Sequence, residues 1–199
     1  MSLYETLIRL DFLVAVGLLV LGPLVLLVLS LRRPWMRHRL LAYWRASALL
    51  GITVYLWIDA WAVGFLTGYA ARLFIPVVLW WGDALSTRGS HSPPTQDDWA
   101  DMLFRNWRLV ATVYSAAGLI YMAPLLSCVW SAPTALCSPW YRPPQEYARL
   151  VHPYTPWAQL GLYGRVALLA YAGYAVASAY ALWSRPLRRI PSPNDRDPS

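Results

Sequence analysis

Residues 12–31 run for twenty positions without a charged side chain and then meet Arg32 and Arg33. A hydrocarbon core of ~30 Å takes roughly 20 apolar residues in an α-helix, and inside it every backbone polar group must be bonded within the protein. Further apolar stretches follow at 46–86, 109–130 and 158–183. In a chain of 199 residues, 58% of them hydrophobic, too little polar sequence remains to shield all of these from water. The expected fold is all-α: a polytopic transmembrane helix bundle over residues 1–190, with the Pro-, Ser- and Asp-rich residues 191–199 as a disordered tail.

The number of spans turns on 46–86, which is interrupted only by Asp59, Arg72 and Asp83 and is too long for one ordinary helix. It is either one tilted helix followed by a re-entrant or interfacial segment, or two short spans, 45–63 and 69–85, that turn at 64–68. Charge parity favours the second arrangement. Arginines gather after the first apolar run (Arg32, Arg33, Arg37, Arg39, Arg45) and after the last (Arg185, Arg188, Arg189). The positive-inside rule puts both clusters on the cytoplasmic side, which five spans allow and four do not. The loop 131–157 and the N-terminus then lie outside, and 32–45, 86–108 and the C-terminus inside. Residues 1–11 mix Leu3, Leu7 and Leu10 with Glu5, Arg9 and Asp11, the pattern of an amphipathic lead-in at the interface. The first run has no small-residue cleavage pattern and is expected to stay in the membrane.

All 17 basic residues are arginine and the net charge is +7. Because the clustered arginines flank helices, they mark topology and contacts with membrane-lipid headgroups, and no nucleic-acid partner is expected.

Asp59 lies roughly fourteen residues, or ~21 Å, into its span, where an acid is costly unless paired. Arg72 and Arg165 fall at similar depth, so an ion pair of Asp59 with one of them is expected, either as a structural lock or as part of an ion pathway. His38, His91 and His152 fall in predicted loops or at their edges, which leaves no helical imidazole pair to hold a haem. No metal site and no required cofactor are expected; contacts with chlorophyll, carotenoid or lipid are compatible with such a bundle. Cys128 and Cys137, nine residues apart, could be joined in an oxidising lumen, and their spacing alone leaves two free thiols as the alternative. Gly173, Ala177 and Ala181 form a row of small residues at four-residue spacing, suited to close helix packing inside the chain or against another membrane protein. The loop 131–157 carries six prolines among its aromatics and is expected to fold stiffly over the outer face, offering Trp140, Tyr141 and Arg142 to a partner. The sequence contains no GxSxG, Walker A, HExxH or CxxC pattern, and the chain is not expected to be an enzyme.

The run from Tyr43 through Trp44, Arg45 and Gly51 to Leu56, the stretch GFLTGYAARLFIP at 64–76, and Trp107-Arg108 through Tyr114-Ser115-Ala116 resemble a family of small cyanobacterial integral membrane proteins known as a domain of unknown function. The resemblance runs from about residue 11 to 183 and carries no assigned site onto this chain. It implies a photosynthetic host and a thylakoid or cytoplasmic membrane. The function expected on these grounds is that of a non-catalytic accessory subunit or assembly factor of a photosynthetic membrane complex. The alternative, a small-solute or ion transporter or channel, rests on Asp59, Arg72 and Arg165.

Overall fold

A computed structural model describes residues 3–85, 99–130 and 134–184. The chain begins with α1 (Leu3–Val16), passes through a π-helical stretch, Gly17–Leu21, and continues as α2 (Gly22–Leu29). Local chemistry accounts for the widened turn. Gly22 donates its N–H to Gly17, so it no longer serves Leu18, and Pro23 has no N–H to give Leu19. Two carbonyls are left without helical donors in a span that lipid surrounds. Neighbouring spans supply them: Trp107 Nε1 donates to the Leu18 carbonyl at 2.8 Å, and the Tyr43 hydroxyl donates to that of Leu19.

After a 3-10 turn, Ser30–Arg32, helix α3 (Pro34–Ile58) starts with Pro34 at its first position, where the missing N–H costs nothing. Arg37 and Arg39 therefore stand on its first two turns and Arg45 on its fourth, not in a loop. The helix closes with Ala60 in the left-handed region, φ 53°. The Ala60 N–H reaches the Trp57 carbonyl at 3.0 Å and the Trp61 N–H reaches that of Leu56 at 2.9 Å, the paired bonds of a Schellman cap. Next comes α4 (Val63–Leu85). The reversal thus falls at 59–62, and Gly64 and Gly68, expected to form it, lie inside α4. They serve close approach instead: a Cβ on Gly64 would fall 2.5 Å from Trp57 Cδ1. One turn further in, the hydroxyls of Thr53 and Thr67 meet across the same seam at 2.8 Å.

Helix α5 (Trp99–Met122) starts ten residues before the apolar run that announced it and continues as a 3-10 stretch, Ala123–Val129. A second 3-10 turn, Ser138–Tyr141, leads into the short α6 (Arg142–Val151), and α7 (Trp157–Trp183) ends the described chain. Five segments are long and apolar enough to span a bilayer: Leu3–Leu29, Pro34–Ile58, Val63–Gly82, Trp99–Val129 and Trp157–Ala181. The all-α five-span bundle is thus the observed architecture, and the re-entrant alternative gives way to a full-length α4. No strand occurs among the described residues. The expected lead-in at 1–11 is, from Leu3 onward, the beginning of the first span itself. The expected tail, 191–199, lies outside the described residues, as do Arg185, Arg188, Arg189 and His91.

The bundle has two unlike ends. At one, α6 and the 3-10 turns form a cap beside the start of α1 and the 59–62 reversal. At the other, the arginine end, Arg33, Arg37 and Arg39 surround the start of α3. The core of the arginine half is mostly apolar, built from Leu26, Met36, Leu40, Ile75, Leu79 and Phe104, with Asp101 of α5 buried at its end. Beneath the cap it is aromatic, with Trp57, Phe65, Trp140 and Tyr141 clustered around Met122 and the two cysteines.

Candidate functional site

Every intramembrane charge pair among the described residues sits in the cap half of the bundle. Arg72, 4% exposed, donates from Nη2 to Asp11 Oδ2 at 2.6 Å. The Tyr114 hydroxyl donates to Asp11 Oδ1 at 2.7 Å, and the Arg72 guanidinium stands 5.4 Å from the centre of the Tyr114 ring. Space for that guanidinium exists because α5 carries Gly118, where a Cβ would lie 2.0 Å from Arg72 Nη1. Three spans are thereby tied at one depth. Arg72 Nη1 has no hydrogen-bond partner among the described residues.

The second pair is Asp59 with Arg165, whose Nη2 donates to Asp59 Oδ2. Arg165 also lies 5.6 Å from the centre of the Trp61 ring. Of the two arginines offered to Asp59, the structure gives it Arg165, and Arg72 goes to Asp11. Asp59 closes α3 instead of interrupting a span, and both members of its pair are partly exposed at the cap end. Asp11 is the residue that sequence reasoning missed. Helical spacing could have found it, because α1 is continuous with the first apolar run and places Asp11 about as far from its start as Arg72 is from the start of α4.

The cap is held by the disulfide Cys128–Cys137, which resolves the alternatives left open by the spacing. Two ion pairs fasten it to α1, Arg142 with Glu5 and Arg9 with Glu146. Trp140 Nε1 donates to the Tyr4 hydroxyl at 3.0 Å, which in turn donates to the Leu136 carbonyl at 2.9 Å. Trp140 and Tyr141 are only 2% and 7% exposed, packed on Trp57 and Phe65 respectively. Burial also pushes the Tyr141 phenol above its ordinary range. These two aromatics anchor the cap inward and are not a surface for a partner; Arg142 alone of the three is exposed, and Glu5 already holds it. The cap's outer face is carried instead by Leu150 and Tyr154.

Beneath the cap lies a mostly apolar cavity of about 100 Å³ between the first span and α3, bordered by Phe12, Gly51 and Val54 with Asp11 and Arg72 on its wall. His38 belongs to the second turn of α3, and His152 ends α6 with its Nε2 3.0 Å from the Tyr55 hydroxyl. No cluster of three metal-ligating side chains occurs among the described residues.

The small-residue row of α7 is separate from all of this. Gly173, Ala177 and Ala181 are exposed, and a Cβ on Gly173 would meet nothing within 4 Å. The row does not pack against α5 or any other described element. Exposed Val176 and Tyr180 stand beside it.

No curated protein and no solved structure matches this sequence. A family match does cover 5–185, which takes in the whole extent of the resemblance noted in the sequence, and it carries neither a host nor a reaction. By that match the chain belongs to the family described as protein of unknown function (DUF3177).

Proposed function

We propose that this protein is a non-catalytic membrane subunit that binds other membrane proteins through α7. The observation that carries the reading is the free row of Gly173, Ala177 and Ala181, which no part of its own bundle covers. Lipid tails are as apolar as leucine and give helices no hydrophobic reason to associate, so close packing over small residues is what joins them. Bulky Val176 and Tyr180 beside the row make it a shallow groove for a second helix. The resemblance to cyanobacterial membrane proteins extends the proposal: an accessory subunit or assembly factor of a photosynthetic complex, in the thylakoid or cytoplasmic membrane. Transport is less well supported, because the ion pairs stop in the cap half and the arginine half of the core is mostly apolar, with Asp101 buried only at its far end on the first turn of α5, whereas a polar pathway must cross the full depth.

The test is Ala177→Leu in native membranes. The variant is expected to fold, since the position is exposed, and to lose co-migration with its complex on native gels. A stable variant that still co-migrates would remove α7 from the interface.

A further inference from the structure

We infer that the cleft between α3, α4 and α7 at the arginine end binds an anionic diacyl lipid, with its chain between the helices and its headgroup on Arg45. Helix α7 leans on α3 where Ala167, Leu168 and Tyr171 pack on Leu49, Ile52 and Leu56. Beyond Tyr171 it separates from the bundle, and a cleft of about 400 Å³ opens, bounded by Ala42 and Ala46 of α3, Val78 and Gly82 of α4, and Tyr174 and Ser178 of α7. That volume lies within the ~300–1,000 Å³ of small-molecule sites. The floor is shallow and smooth because small residues make it: a Cβ on Gly82 would come 3.8 Å from that of Ala42. A sideways-open apolar cleft in a bilayer fills with an acyl chain, since an empty one forfeits dispersion contacts along its whole lining.

Charge selects the headgroup. Arg45 borders the cleft, is exposed, and has no ion pair or hydrogen bond among the described residues, unlike Arg72 and Arg165, each of which has its carboxylate. Side chains on a helix tilt toward its N-terminus, so Arg45 extends toward the arginine end, where phosphates lie. An unpaired arginine inside a span is costly, and a lipid anion neutralises it where the helix meets the headgroups. The hydroxyls of Tyr174 and Ser178, across the cleft, provide further donors. The site lies on a different face of α7 from the small-residue row, so its fate is independent of the proposed protein contact.

The experiment is native mass spectrometry of the detergent-purified full chain, titrated with phosphatidylglycerol or phosphatidylcholine, with thermal unfolding in the same mixtures. Phosphatidylglycerol is expected to bind more tightly, by about fivefold, the effect of one arginine near the surface. Arg45→Gln should erase that preference while leaving chain binding in place, and Ala42→Leu, which fills the cleft, should weaken both lipids. Equal binding of the two lipids by the wild type would overturn the proposal without recourse to any variant. So would retention of the preference by Arg45→Gln, or a co-purifying protein that Ala42→Leu releases while neither lipid binds.

Discussion

Arg72 of the third span and Asp11 of the first are joined at 2.6 Å deep in the bundle, 61 positions apart in the chain, with Tyr114 of the fourth span on the carboxylate's other oxygen. Two charges taken out of water stabilise little as a pair, but losing one partner strands the other. Asp11→Asn should therefore cost about 3–5 kcal/mol, measured by reversible unfolding in mixed micelles. Replacing Asp11 and Arg72 together by leucine should cost less than the single change. A loss under about 1 kcal/mol for Asp11→Asn would show that the pair is not a lock.

Gly118 and Gly173 make a matched comparison. Gly118→Ala drives a methyl into the Arg72 guanidinium and should destabilise by about 1–3 kcal/mol, the usual cost of overpacking. The same methyl at Gly173 meets open space and should be neutral or stabilising by about 0.5–1 kcal/mol through helix propensity. Arg72→Ala should relieve part of the Gly118→Ala defect, which thermal unfolding of the double variant would show.

Ala60 holds a conformation that suits glycine, with φ 53° at the Schellman cap of α3. Ala60→Gly is expected to raise stability by up to about 1 kcal/mol, the left-handed strain it removes less the entropy glycine adds to the unfolded chain. Ala60→Val should lower it by more than that amount. Identical melting curves for the three proteins would contradict this account of the turn.

The cap fixes the sidedness of the molecule. In a Cys128→Ser/Cys137→Ser background, Tyr154→Cys at 97% exposure should react with a membrane-impermeant maleimide from the outer side, and Arg37→Cys only after the membrane is opened. Loss of the disulfide alone should cost about 2–3 kcal/mol by the chain-entropy relation for so short a loop. Labelling of both sites from one side would refute the five-span topology.

The spans were legible because bilayer thickness writes itself into sequence as apolar runs, and five emerged once arginine placement was weighed with them. Span ends were harder. Glu5, Arg9 and Asp11 gave the start of α1 an interfacial look, yet each finds an opposite charge on the cap or on α4, and such partners are visible only after folding. The reversal after α3 was hidden because Ala60 occupies the position where glycine would have announced it, while the glycines that drew attention, Gly64 and Gly68, serve helix contact. Trp140 and Tyr141 looked like a surface because aromatics in a proline-rich loop suggest one. Their burial depends on Trp57 and Phe65, two spans away in sequence.

The π-helical stretch in the first span also constrains how the protein is made. Its two orphaned carbonyls, at Leu18 and Leu19, take their donors from Trp107 and Tyr43, which leave the ribosome later. At ~5–20 residues per second, Trp107 follows the first span by on the order of ten seconds. Through that interval the first helix must wait beside the translocon or in lipid with at least one polar group unmet. The first of the five spans is therefore sealed only when a tryptophan from the fourth reaches it, so it is completed after helices that are synthesised later.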